Sequence, residues 1–463
     1  MTGPGETTEP READPTADAG GPRATAHGAP ADAPVGGPAD AVASAPAGAP
    51  TDAPAVRLAR PWWDPRGWRW WVQVLAVYAA ARAFTTVALL VTLRGQLVPN
   101  YWMPTAPGTF WQFTGLFWDA DWYRQIAENG YPGQLPVGPD GLVQQNAWAF
   151  FPLFPFLVRG VMTVTRLPWE VAAPCVAMLL GAAAMLVIHR LVVRGAPRAV
   201  AARPGLPLAT VALVSVFPTS VVLQVGYTEA LALLLIACAL LAVVQRRYAW
   251  AALVVVLLGF SRAVALPMAV VVVVHALVRW RDARRGQDRL DGRDVGGLAG
   301  LAAAAAVSGV AWPLIAGCAT GRSDAYLLTQ QAWRGVRSTA PFEGWGYVSR
   351  FWFGDHAAIV LVASFALVVA VLVVPAAWRL GNELHAWPAA YLLYIAAAVE
   401  PGSSLARFLL LAFPLGAVTA GVVTRPASAR RWWLAGVVVL MLALQLVWIW
   451  NIWRFDPPTS WPP

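Results

Sequence analysis

Long apolar runs separated by short polar segments make up most of the chain from about residue 71 onward. Many runs approach 20 residues, the length at which a helix crosses the ~30 Å hydrocarbon layer of a membrane. They lack the ~10-residue alternation of membrane β-strands. The pattern predicts an all-α polytopic membrane protein with about 11 transmembrane helices.

The predicted spans vary in length, and those at 249–261 and 386–399 are short. All eleven, in chain order, are 71–93, 170–188, 206–223, 228–245, 249–261, 263–279, 296–318, 356–378, 386–399, 405–423 and 433–452. A further apolar run at 149–165 contains Pro152, Pro155 and Arg159. This content favours a helix lying in the membrane interface over a crossing.

Arginines are distributed unevenly between the predicted loops. With the N-terminus in the cytoplasm, short segments on that side hold 20 of the 34 basic residues, and the longer outer loops hold 11. Short basic loops typically face the cytoplasm, which supports this orientation. Two long loops, 94–169 and 319–355, then lie outside. Polar residues at the outer span ends are Glu229, Arg262, Glu400 and Arg407.

Composition divides the chain into a membrane domain at 57–455 and two tails. The whole chain is 58% hydrophobic and 13% charged, against about 25% charged residues in soluble domains. An ordinary soluble enzyme is therefore excluded. Residues 1–56 contain eight acidic residues, two arginines and few large apolar side chains, which predicts a disordered acidic cytoplasmic tail. Residues 456–463 form a short C-terminal tail.

The candidate chemistry is concentrated in the first outer loop, where Trp118 and Asp119 are followed by Asp121 and Trp122. Two carboxylates this close repel each other, and a carboxylate so placed is suited to take a proton from a sugar hydroxyl. The tryptophans offer flat faces on which a sugar can stack. In a simpler interpretation, Asp119 caps a loop helix that the tryptophans anchor in the interface.

Charged residues near the span ends are the second group of candidates. Arg262 and Arg407 are suited to bind a phosphate, because the planar guanidinium offers it two hydrogen bonds. Alternatively, they reach to the interface or pair with Glu229 or Glu400. Glu229 orients Asp119 or an arginine, or else complements a helix N-terminus. Arg82 lies within the first span, and it either ties that helix to the active cavity or pairs with Glu229.

Several segments resemble the PIG-V-type mannosyltransferases, a family of the GT-C membrane glycosyltransferases. The family pattern W-D-x-x-x-[YF]-x-x-I-A-x-x-G-Y is matched by Trp118, Asp119, Tyr123, Ile126, Ala127, Gly130 and Tyr131. A second match is AFFPLFP at 149–155. A third match is GYTEAL at 226–231. Two weaker similarities are Ser261-Arg262, and SLARF at 404–408 followed by Phe413-Pro414. Asp121 has no assigned place in the pattern.

The resemblance implies a GT-C-like bundle that transfers mannose from a polyprenyl-phosphate-linked donor, with inversion. Asp119 would be the catalytic base, and Arg262 and Arg407 would bind the donor phosphate. Tyr227 and Glu229 would support them. The acceptor would be a glycolipid, a lipoglycan or a protein, and no nucleic acid would take part. The lysine-free, alanine-rich composition favours a bacterial plasma membrane, with the active site outside the cell.

Some alternatives stay open. The three cysteines, Cys175, Cys238 and Cys318, lack the spacing of a metal site, and no metal site is predicted. Paired carboxylates suit Mg²⁺ or Mn²⁺, so a divalent cation at Asp119 and Asp121 remains an alternative. Two other functions also remain: a transporter or flippase of a lipid-linked sugar, and a non-catalytic subunit of an envelope-glycan assembly complex.

Overall fold

The computed structural model describes residues 67–335, 340–457 and 462–463. These residues belong to one compact unit, Arg60–Pro463. The predicted acidic tail, 1–56, lies outside the described residues, as does part of the predicted C-terminal tail.

The described part of the chain is helical, and its one β pairing outside helices is a single bridge between Val137 and Val143. The all-α prediction is therefore confirmed there. The α-helices are α1 (Trp70–Arg94), α2 (Phe110–Gly115), α3 (Asp119–Asn129), α4 (Leu153–Thr165), α5 (Trp169–Gly195), α6 (Pro197–Ala202), α7 (Leu206–Ser215), α8 (Glu229–Val244), α9 (Tyr248–Gly259), α10 (Ala265–Arg284), α11 (Gly292–Thr320), α12 (Ala325–Arg334), α13 (Glu343–Phe353), α14 (Ala357–Val373), α15 (Pro375–Trp378), α16 (Asn382–Ala398), α17 (Leu405–Phe408), α18 (Pro414–Gly421) and α19 (Ala427–Trp448).

Among the described residues, five stretches are long and apolar enough to cross a membrane. They are Trp70–Arg94, Trp169–Gly195, Gly292–Thr320, Glu343–Val373 and Ala427–Trp453. Helices also form at the other predicted spans, and most of them are shorter. The exception is α10, which has 20 residues but ends in the charged residues Arg281, Asp282 and Arg284. At 1.5 Å per residue, the 16-residue α8 and the 12-residue α9 reach only about 24 and 18 Å. The predicted count of about 11 spans therefore exceeds the number of membrane-length helices.

Two predicted spans are interrupted, and one membrane-length stretch begins early. The predicted span at 206–223 ends its α-helix at Ser215 and continues as a 3₁₀ turn, Ser220–Leu223. The span at 405–423 consists of α17, a 3₁₀ turn at Leu409–Ala412, and α18. The stretch Glu343–Val373 starts within the predicted outer loop 319–355, because α13 leads into α14.

α8 is one of the most buried helices of the bundle. Twelve of its 16 residues are buried, and it packs between α5 and α9. Many of these residues are alanines, which allow close approach of neighbouring helices. The first residue of α8 is Glu229, so a carboxylate lies at the buried end of this central helix.

The gap after α7 is closed by Arg82 of α1, which is itself buried. Its guanidinium donates to the carbonyl oxygens of Ser220 at 2.5 Å and Ser215 at 2.6 Å, and to the hydroxyl of Ser220 at 2.9 Å. Irregular backbone in an apolar region needs such internal partners. The expectation that Arg82 pairs with Glu229 is wrong, because its bonds go to the α7 break.

Replacement of Arg82 by methionine is expected to lower the free energy of unfolding by about 3 kcal/mol, because two buried carbonyl groups and one hydroxyl lose their donor. Denaturant titration of the purified protein in detergent measures the change. The control is Arg94→Met, at the exposed end of the same helix, for which a change within about 0.5 kcal/mol is expected. Equal effects of the two substitutions would contradict this role of Arg82.

Candidate functional site

Four charged residues that are distant in the sequence meet at one end of the bundle. We call Asp119, Glu229, Arg262 and Arg407 the ion-pair cluster. Arg407 donates to Oδ2 of Asp119 at 2.5 Å and to Oε1 of Glu229 at 3.0 Å. Arg262 donates to the same Oε1 atom at 2.8 Å. One carboxylate oxygen of Glu229 thus joins two guanidinium groups.

Each member of the ion-pair cluster is held at the end of a helix or in a turn. Asp119 is the first residue of α3, and Glu229 is the first residue of α8. Arg262 follows α9 in the turn that leads to α10, and Arg407 lies in the four-residue α17. The charged side chains therefore meet where helices begin or turn, and the apolar interior of α8 contains none of them.

The burial of the cluster is graded. The side chain of Glu229 is 0% exposed and that of Arg407 is 7% exposed, while Asp119 and Arg262 are each 15% exposed. Charges in such surroundings need partners of opposite sign, and the two acids balance the two arginines. Asp119 and Arg262 are therefore the members most accessible to a ligand, and the buried Glu229 supplies their fixed counter-charge.

Aromatic and hydroxyl side chains surround the cluster. The Tyr227 hydroxyl accepts a hydrogen bond from the backbone N–H of Asp119 at 3.3 Å, and its ring lies 5.0 Å from the Arg407 guanidinium carbon. The ring of Phe408 lies 4.9 Å from the Arg407 guanidinium and 4.4 Å from that of Arg262. These contacts hold the guanidinium groups in place through cation–π attraction.

Three residues that match the motifs but are not among the predicted site residues belong to this environment: Tyr123, Thr228 and Phe408. The Thr228 hydroxyl accepts from Nη1 of Arg262 at 3.1 Å and contacts the Tyr123 hydroxyl at 3.3 Å. Burial raises the pKa of Tyr123, so its hydroxyl stays protonated at neutral pH. Thr228 and Phe408 are next to Glu229 and Arg407 in the sequence, and this adjacency is the feature from which their place in the site could be predicted.

The backbone bends sharply at Trp118, immediately before the Asp119 carboxylate. Trp118 has φ +57°, a conformation that residues other than glycine rarely adopt. Its indole N–H donates to the carbonyl oxygen of Trp453 at 3.2 Å, and its ring packs against Trp102 and Phe455 at centroid distances of 5.1 and 5.7 Å. Aromatic packing thus maintains the bend that directs Asp119 toward Arg407.

The two tryptophans predicted as sugar platforms are both engaged by other rings. Trp122 stacks on Phe150 at 5.8 Å and meets Trp333 edge-on at 5.2 Å. Like Trp118, it is partly buried. Both rings therefore anchor the first outer loop rather than presenting an open face on each side.

Asp121 does not join the ion-pair cluster. Its carboxylate accepts from Arg124 at 2.7 Å and from Gln125 at 2.9 Å. Asp119 and Asp121 thus have different cationic partners and form no shared carboxylate pair. Over the described ranges, no group of three His, Cys, Asp or Glu side chains is arranged to hold a metal ion.

Two other predicted polar residues also have partners elsewhere. Arg82 closes the break after α7, so the structure contradicts a direct contact with the cluster. Glu400 accepts a hydrogen bond from the Tyr347 hydroxyl. Neither contributes to the group formed by Asp119, Glu229, Arg262 and Arg407.

Comparison with known proteins adds no family assignment: no family model matches the chain, and no curated protein is significantly similar to it. The resemblance to PIG-V-type mannosyltransferases therefore stays a prediction from the motif residues. The geometry of the ion-pair cluster is the independent basis for a functional proposal.

A double-mutant cycle of Asp119→Asn and Arg407→Gln is expected to give a coupling energy of about 2 kcal/mol, because the two side chains form a largely buried ion pair. Unfolding free energies of the four proteins in detergent measure it. The control cycle, Arg322→Gln with Asp324→Asn, probes an exposed ion pair, and no measurable coupling is expected there. A coupling of zero for both cycles would contradict the pairing of Asp119 with Arg407.

Proposed function

We propose that this protein is an integral membrane glycosyltransferase that transfers a mannosyl or other hexosyl residue from a polyprenyl-phosphate-linked donor to an extracytoplasmic acceptor. The observation that carries the proposal is the ion-pair cluster at one end of an apolar bundle, in which Asp119 pairs with Arg407 and Glu229 joins Arg407 to Arg262. A carboxylate beside two guanidinium groups supplies a base and a phosphate site together.

The arginines are suited to the donor phosphate. Among the described hydrogen bonds, Arg262 uses only Nη1, for Glu229 and Thr228, and its remaining N–H groups can bind a phosphate oxygen. Arg407 lies next to it, over the same Phe408 ring. A guanidinium pair of this kind favours phosphate through two-point hydrogen bonding. The apolar surface of the bundle suits the polyprenyl chain.

Asp119 takes the role of general base. It accepts the proton of the acceptor hydroxyl, whose oxygen attacks the anomeric carbon of the donor sugar. The bond between that carbon and the phosphate oxygen breaks, and the polyprenyl phosphate leaves with the electron pair. Attack opposite to the leaving group inverts the anomeric configuration. Arg262 and Arg407 stabilise the charge that develops on the leaving phosphate.

The ion pair between Asp119 and Arg407 links donor binding to base function. A phosphate bound at the arginines competes with Asp119 for the guanidinium of Arg407. Asp119 then gives up its partner and becomes available to accept a proton. Glu229, which is fully buried, keeps both arginines charged and oriented while this exchange occurs.

We also propose the wider setting: a GT-C-like bundle of about 11 spans in a bacterial plasma membrane, with a cytoplasmic N-terminus and the cluster on the outer face. The distribution of arginines supports this orientation. The positions of Glu229 at the start of α8 and Arg262 after α9 are consistent with it, because successive antiparallel helices bring both residues to one end of the bundle.

Asp119→Asn is expected to lower the rate of sugar transfer by about 10²- to 10⁴-fold, the usual contribution of a general base. The matched control is Asp121→Asn, two residues away, whose carboxylate pairs with Arg124 instead and whose loss should leave most of the activity. Transfer is measured with tritiated polyprenyl-phosphomannose, using bacterial envelope glycolipids and secreted proteins as acceptors.

Three results would contradict the proposal. An active Asp119→Asn protein would exclude the base assignment. Movement of the labelled donor across the bilayer of proteoliposomes, without transfer, would indicate a lipid-linked sugar transporter. A protein that does neither with any polyprenyl-phospho-sugar would indicate a non-catalytic subunit.

Arg262→Gln is expected to raise KM for the donor by about 10- to 100-fold, since hydrogen bonds to charged groups contribute about 1.5–3 kcal/mol. Arg159→Gln, an exposed substitution in α4, is the control and should leave KM unchanged. Initial rates at a series of donor concentrations measure both. A change in kcat alone would argue against phosphate binding by Arg262.

A further inference from the structure

A second group of basic residues lies at the other end of the bundle, away from the ion-pair cluster. There the start of α1, the last turns of α5 and α8, and the start of α9 enclose a cleft with a volume of about 560 Å³. This volume lies within the range of ligand-binding clefts. α8 begins at Glu229 and ends beside this cleft, so the two sites are about 24 Å apart along the helix.

The cleft is lined by three arginines, Arg190, Arg194 and Arg247, and no carboxylate is among its lining residues. No ion pair found in the described ranges involves any of the three. The neighbouring Arg246, by contrast, pairs with Asp288 at 2.9 Å. Among the described residues, the arginine next to the cleft is thus neutralised, while the three arginines that line the cleft have no carboxylate partner.

Aromatic side chains give the cleft a defined shape. The ring of Trp70 stacks on His189 with a centroid distance of 5.1 Å and an interplanar angle of 18°. The guanidinium carbon of Arg190 lies 4.9 Å from the Trp70 ring. A guanidinium held over an aromatic ring by cation–π attraction can still donate its N–H groups to an anion.

The location of the cleft indicates the source of that anion. Two membrane-length helices reach it, α1 at its first residue and α5 at its last turn. The ends of such helices lie at the level of the lipid headgroups. Trp70 and Trp250, which flank the arginines, belong to the residue type enriched at that level. An arginine cluster in this position meets the phosphates of anionic lipids.

We propose that this cleft is a binding site for a phosphate-bearing anion, supplied by the headgroup of an anionic membrane lipid, with Arg190, Arg194 and Arg247 as its ligands. The site is separate from the donor site of the proposed glycosyltransferase. It fixes the ends of α1, α5, α8 and α9 to one membrane surface.

The test uses the full chain purified in a mild detergent, with retained lipids counted by native mass spectrometry during titration with phosphatidylglycerol. Arg190→Gln, Arg194→Gln and Arg247→Gln are combined in a cleft variant. A control variant combines Arg198→Gln, Arg285→Gln and Arg379→Gln, three exposed arginines outside the cleft, and changes the net charge equally. The cleft variant should lose affinity for the first bound lipid by about tenfold or more, and the control variant by less than twofold.

The source of the phosphate is resolved by a second arm, in which glycerol 3-phosphate and inorganic pyrophosphate are titrated by calorimetry. Binding of these soluble phosphates with no retention of phosphatidylglycerol would overturn the lipid assignment. Equal loss of lipid in the cleft and control variants would overturn the site itself and indicate diffuse attraction. If the triple cleft variant does not fold, as judged by its thermal unfolding midpoint, Arg194→Gln alone is used with Arg198→Gln as its control, and the same outcomes apply.

Discussion

The site depends on the ion pairs that the carboxylate of Glu229 forms with two arginines. One of its oxygens accepts hydrogen bonds from Arg262 and Arg407, and the side chain is fully buried. Two guanidinium groups this close would repel each other without a shared counter-charge. Glu229 therefore permits α8, the α9–α10 turn and α17 to converge. The more exposed Asp119 then completes the group from the first long loop.

All four members of the ion-pair cluster are already candidates in the sequence, for a physical reason. Charged side chains in or beside apolar runs are costly, so Glu229, Arg262 and Arg407 are conspicuous there. Pairing of the two arginines with Glu229 is one of the alternatives that the sequence offers. The sequence cannot choose among those alternatives, because the contacts depend on how sequence-distant helix ends meet. The different partners of Asp119 and Asp121 also cannot be predicted from their spacing alone. Once α3 forms, residues two apart point about 200° away from each other around the helix axis.

The helices show a different limit of sequence reasoning. Hydropathy reports the apolar character of a run but not where its backbone leaves the helix. The predicted span at 206–223 contains Pro218, which lacks the N–H that a continuing helix needs. The residue that satisfies the resulting carbonyl groups, Arg82, is more than 130 positions away. Its partner is backbone, and no pattern of charges along the chain can identify a backbone partner.

The bend at Trp118 has a consequence for how the protein can diverge. The direction of the Asp119 side chain is set by the packing of its neighbour on Trp102, Trp453 and Phe455. Those contacts are made by Trp118 and not by the Asp119 carboxylate itself. The residues that hold Trp118 are therefore constrained against substitution, although they lie more than 300 positions apart in the polypeptide and none belongs to the ion-pair cluster.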